Sequence, residues 1–160
     1  MPRLPDRWVQ HLESGTSHRL GGCGADGRPE ICRALAARAG SDGCIEVLLA
    51  ADVGRAVIAA VQATQRVAHV AAHLGTNVAL QTKGSDAQVL PARPEHLELL
   101  ARCRDRFAEV VLRHGVSRDQ IMNVWYDVDL PLLRCLRFTP FEATDQTPGR
   151  DSGGAVELLT

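Results

Sequence analysis

The sequence predicts an α+β chain, mainly β with helices, in which six antiparallel strands form a small barrel. Three observations predict it. Apolar runs are separated by tight glycine-containing turns, Gly24-Ala25-Asp26-Gly27 and Ser41-Asp42-Gly43, which favour hairpins and a meander. Two longer segments, after Asp52 and after Pro94, place apolar residues at helical spacing. A chain of 160 residues with 45% hydrophobic content suffices for one domain with a substantial core.

Pro5 to Glu13 reads as a short helix, with proline in the first turn, Trp8 and Leu12 four apart on one face, and Gly15 to end it. Thr16 to Cys23 is a strand. Residues 28–38 form the next strand, whose alternation sets Ile31, Arg33, Leu35 and Ala37 on one side and Cys32, Ala34, Ala36 and Arg38 on the other. Cys44 to Ala50 is an apolar third strand. Asp52 can cap a helix from Val53 to about Thr64, with Val53, Val57, Ala60 and Val61 on its apolar face. Arg66 to His73 and Asn77 to Leu90 are strands joined at Gly75-Thr76, with Gly84 bending the second.

Pro94 opens the longest helix, Glu95 to His114, whose acidic first turn and basic last turn complement its dipole. Leu100, Cys103, Phe107, Val110 and Val111 form its buried stripe, and Gly115 is a natural C-terminal cap. Ser117 with Gln120 is a capping-box signature. Leu132 to Ala143 is the last strand. The division expected is a domain over 1–144 and a polar C-terminal tail over 145–160, mobile or docked on a partner.

Composition excludes several function classes. A net charge of −1 gives no general attraction to nucleic acid or to an anionic membrane, and no apolar run approaches the roughly 20 residues of a membrane span. The first residues lack the apolar core of a signal peptide, so the expected compartment is the cytoplasm. Cys23, Cys32, Cys44, Cys103 and Cys135 are widely spaced without a Cys-x-x-Cys and read as reduced, mostly buried thiols. His69 and His73, four apart on a strand, are separated by about 13 Å, too far to share one ion. No metal site is expected.

Arg33 stands among apolar neighbours, and its planar fork suits a phosphate or carboxylate unless it serves a structural ion pair. Arg38 ends the same strand. Arg55 opens the helix after the third strand, where free N–H groups favour an anion, although a solvated surface role is equally open. Gln81 and Lys83, two apart, share one strand face, either as a solvent-facing edge or aimed together at a heterocycle.

The strand pattern Arg33…Arg38 after a Gly-rich hairpin, the cation Arg55 at a helix start, and Gln81-Thr82-Lys83-Gly84 resemble the FMN-binding split barrels of the pyridoxamine 5′-phosphate oxidase-like family. The resemblance runs over most of the chain. It implies a six-stranded antiparallel split β-barrel, a homodimer, and FMN bound between subunits, with F420 or haem as alternatives. Arg33, Arg38 and Arg55 would then hold the phosphate. The backbone amides of Ala50 and Ala51, with Gln81 and Lys83, would meet the ring.

The chain departs from the family pattern at Ala50, where a Thr is common, and at Gly54-Arg55-Ala56, which keeps only the middle cation of a Ser-Arg-Lys-like run. It lacks the Arg-x-His of true pyridoxamine phosphate oxidases, since no histidine follows Arg150. The resemblance therefore implies an FMN-dependent oxidoreductase acting on some other small molecule, with no side chain standing out as general acid or base. The alternatives are a non-catalytic flavin or haem sensor or store, and a barrel that has lost its cofactor.

Overall fold

The computed structural model describes residues 1–160 as ten strands in two antiparallel sheets. The strands are β1 (Ser17–Cys23), β2 (Pro29–Ala34), β3 (Ala36–Ala39), β4 (Ile45–Ala50), β5 (Val67–Ala72), β6 (Ala79–Gly84), β7 (Gln88–Pro91), β8 (Leu133–Phe138), β9 (Glu142–Asp145) and β10 (Gly154–Ala155). The larger sheet runs β10-β9-β6-β5-β1-β2 and the smaller β3-β4-β8-β7. Three main helices accompany them: α1 (Asp6–Leu12), α2 (Arg55–Thr64) and α3 (Pro94–Val111). The expected single closed sheet of six strands is thus replaced by two sheets.

The reason lies in three long predicted strands, each of which crosses from one sheet to the other. Residues 28–38 divide at Leu35, whose N–H donates to Leu48 O at 2.7 Å. Leu35 and Ala36 both face the α3 side, while Ala34 and Ala37 face the space between the sheets. One residue of alternation is lost at this corner, as at a bulge. The expected strand over 77–90 leaves the larger sheet after Gly84 and resumes in the smaller at Gln88. The expected strand over 132–143 divides around Pro140, whose missing N–H cannot continue a ladder.

Two cores result. Leu20, Ile45, Val47, Leu49, Leu80, Leu136 and Phe138 fill the space between the sheets, joined by Trp8 and Leu12 of α1 and Val57 and Val61 of α2. A Cβ on Gly84 would stand 2.5 Å from Phe138 Cδ2, so the sheets meet there only because residue 84 has no side chain. The second core lies between the outer face of the smaller sheet and α3, around Leu48, Leu99, Cys103, Phe107 and Leu133. Residues after Asp145 do not hang free: β10 pairs with β9, Val156 is buried, and Leu159 bonds to Arg3 in both directions at 2.9 Å. No helix is long and apolar enough to cross a membrane.

A directed chain of polar side chains crosses the first core. Thr16 Oγ1 donates to Leu12 O at 3.0 Å and therefore accepts from His18 Nε2 at 3.1 Å. His18 Nδ1 is then free to accept from His69 Nε2 at 3.1 Å, and His69 Nδ1 accepts from Thr82 Oγ1 at 3.4 Å. Every proton in this chain has a place with both imidazoles neutral. Burial is the main reason both histidines sit below their ordinary range, His69 at about 3.

Candidate cofactor face and neighbouring cavities

The outer face of the larger sheet carries the densest set of sequence-predicted residues. The register places Arg33, Arg19, Val70 and Gln81 opposite one another in turn on β2, β1, β5 and β6. Arg33 and Gln81 are therefore level but three strand spacings apart, about 14 Å. Lys83 lies on the same face as Gln81 and donates to Glu142 Oε1 at 2.7 Å, so its charge is already paired. In the next outward-facing row, between Ile31 and Lys83, the sheet floor is nearly bare. Gly21 and Ala68 lie on the floor of a 580 Å³ depression whose rim includes Ile31, Arg66, Lys83 and Phe141. A Cβ on Gly21 would meet nothing closer than 3.7 Å, so the fold itself does not require a glycine there. Ile31 is 75% exposed and Phe141 56%, an apolar surface without cover in the single chain.

Arg33 does not meet a carboxylate. Its guanidinium carbon lies 4.5 Å from the ring centre of Trp125, 5.3 Å from Tyr126 and 5.6 Å from Phe107. These rings come from α3 and from the irregular connection between α3 and β8, which includes a π-helical turn, Ile121–Trp125. Burial lowers the pKa of Arg33 and pushes the Tyr126 phenol up to about 12. The guanidinium thus meets aromatic rings where an ion-pair partner would otherwise stand. Beside it, a 260 Å³ cavity is bounded by Arg33, Leu35, Ala50, Asp52 and Val53, and by Trp125 and Asp127 of the connection before β8.

The structure does not bring the three expected phosphate ligands together. The lost alternation at Leu35–Ala36 turns Arg38 to the α3 side of the smaller sheet, directly opposite Glu46. There its Nε and Nη2 hold Glu46 Oε2 at 2.7 and 2.6 Å. Arg55 is exposed at the first turn of α2 and lines neither of the cavities that contain Arg33. The Ala51 N–H is already donated to Leu132 O at 2.8 Å, which removes it as a ring ligand. Ala50 borders the cavity next to Arg33. At Gly54 a Cβ would collide with Leu49 Cδ1, so the serine of the family pattern would fit only with a shift of the Leu49 side chain.

Glu46 was invisible as a site residue inside an apolar strand, yet it organises a second cluster. Glu46 is 8% exposed, and its carboxylate is approached by Arg38, by Arg93 at 3.6 Å and by His96 Nε2 at 3.6 Å. Cys135 completes a trio of ligand-type atoms within 4.8 Å. The proton positions argue against a cation here. His96 Nδ1 accepts from the Arg93 N–H at 3.0 Å, so Nε2 carries the hydrogen and has no lone pair to give. Burial pushes the Cys135 thiol up to about 12, and two arginines already crowd the carboxylate. The cluster ties the start of α3 to β4.

No family model matches the sequence, and no curated protein matches it. Solved structures do. HupZ of Group A Streptococcus superposes over 94% of this chain and 100% of its own, with a TM-score of 0.58 at 9% identity. An F420 reductase covers 88% of this chain and 98% of its own, with a TM-score of 0.57 at 14% identity. A Lactobacillus delbrueckii protein assigned to pyridoxamine 5′-phosphate oxidase covers 88% and 93%, with a TM-score of 0.51 at 14% identity. Two packed antiparallel sheets, with strands that cross between them and helices on the outside, give this chain the pyridoxamine 5′-phosphate oxidase-like fold.

Proposed function

We propose that the protein is a homodimeric oxidoreductase that uses a flavin-type cofactor, FMN or F420, on the outer face of its larger sheet. The observation that carries this reading is the row from Arg33 to Gln81 beside a floor of Gly21 and Ala68. A flat ring needs a floor without side chains, a polar edge and a cation for its anionic group. Gln81 and Lys83 would meet the ring edge, and Arg33 the phosphate, with Ala50 bordering the adjoining cavity. Arg38 and Arg55 have no part in this version of the site. Bound flavin would supply hydride or electron transfer, and Lys83, on leaving Glu142, would favour its reduced, anionic form. The uncovered surface at Ile31 and Phe141 is where a second copy would close the face.

A cofactor-free barrel is the rival reading. It is favoured by the dispersal of the cations, the Arg38–Glu46 pair and the tight space at Gly54. Titration of the purified protein with FMN, F420 and haem, followed by absorbance and flavin fluorescence, separates the two. Saturable flavin binding by a dimer is expected. A protein that binds none of the three cofactors has kept the fold and left the chemistry.

A further inference from the structure

We infer that the cleft where β1 and β2 meet the C-terminal end of α3 binds a small organic anion, a carboxylate or phosphate carried on an apolar body. The cleft has a volume of about 220 Å³ and is lined by Arg19, Arg33 and His114 together with Phe107, Val111 and Trp125. Arg19 and Arg33 stand directly opposite each other in the β1–β2 register, an arrangement of like charges that opposes folding unless something compensates it. Neither belongs to an ion pair of the chain. Arg19 donates only to Ser17 Oγ and to His18 O, and the Arg33 guanidinium lies over aromatic rings.

No carboxylate lines this cleft. Each of the other four larger cavities contains at least one, from Glu30, Glu46, Asp42, Asp52 or Asp127. Two forks that no carboxylate pairs, with no acidic neighbour, recognise an anion, and the Phe107, Val111 and Trp125 walls recognise an apolar body. Arg33 and Trp125 also border the neighbouring cavity with Ala50, so an anion in the cleft would sit beside the proposed cofactor face. Its role as the substrate rests on that reading; the binding itself does not.

The test is isothermal titration of the flavin-free protein with benzoate and with its neutral analogue benzamide. Benzoate should bind and benzamide should bind at least tenfold more weakly. Arg19→Gln should weaken benzoate binding about tenfold, the loss expected for one charge-assisted contact. Arg66→Gln, which removes a cation from a different cavity, should leave binding unchanged. Arg19→Lys keeps the charge without the fork and should fall between wild type and Arg19→Gln; it replaces the latter if circular dichroism shows that variant misfolded. Absence of benzoate binding by folded wild type, equal binding of benzamide, or equal effects of the Arg19 and Arg66 changes would overturn the inference. An FMN titration of the same sample keeps the two proposals separable: benzoate without FMN removes only the cofactor reading, and FMN without benzoate removes only the anion site.

Discussion

Acid should unfold this protein from its histidine chain outwards, at a pH where its carboxylates are still ionised. His69 is fully buried with a pKa of about 3, against 6.5 in an unfolded chain, and His18 is likewise held well below 6.5 by burial. As pH falls below 6.5 the unfolded state takes up these protons and the folded state does not, so stability is complete above that value and is lost on acidification. At pH 5 the deficit for His69 is about 2 kcal/mol, from 1.5 pH units at roughly 1.4 kcal/mol each, and His18 adds to it in the same direction. Against a typical domain stability of about 5–15 kcal/mol this is a large share.

His11 and His96 are also lowered and add in the same direction, so the wild-type slope alone does not isolate the chain. His69→Gln does, because its amide can still donate to His18 Nδ1 and accept from Thr82. Urea unfolding at pH 5, 6 and 7, followed by circular dichroism, should show a wild-type slope below pH 6 of more than one proton. The variant's slope should be smaller by about one proton, roughly 1.4 kcal/mol per pH unit. Equal slopes in the two proteins, or wild-type stability that is flat from pH 7 to 5, would refute the assignment of neutral, mutually bonded imidazoles.

Three further outcomes follow from packing and charge. Gly84→Ala forces a methyl onto Phe138 and should cost about 1–3 kcal/mol in urea unfolding, whereas a neutral effect would mean the sheets can part there. Glu46→Gln leaves Arg38 and Arg93 facing a neutral group at the start of α3 and should cost about 1–3 kcal/mol, discounted for the partly exposed arginines, with the loss shrinking in high salt. Arg33→Ala removes a guanidinium from three ring faces and should lower stability by about 1–2 kcal/mol, together with a change in Trp125 fluorescence; an unmoved midpoint and spectrum would place Arg33 outside the aromatic box.

Local signals were well expressed in the sequence. The glycine turns, the Ser117–Gln120 capping box and most of the apolar stripe of α3 stand where the residues direct, while Val110 of that stripe is only half-buried. What the sequence hid was non-local. Period-two alternation runs on through a corner between sheets, so residues 28–38 read as one strand, and Arg38 was assigned to the wrong side of the slip at Leu35–Ala36. A lone glutamate in an apolar strand, Glu46, was the only trace of Arg38's true partner. The box around Arg33 is built from positions 107, 125 and 126, whose meeting depends on how α3 and the following connection pack rather than on any spacing. Gln81 and Lys83 were placed correctly on one face because β6 stays regular between them.

The central claim is that the cofactor face is the outer side of the larger sheet and not the α3 side of the smaller one. FMN affinity of Gln81→Glu and Arg38→Gln, measured beside wild type by flavin fluorescence, tests it directly. The added carboxylate at position 81 should weaken binding about tenfold or more, and loss of the Arg38 charge should leave it unchanged. Weakening at Arg38 with indifference at Gln81 would contradict the account.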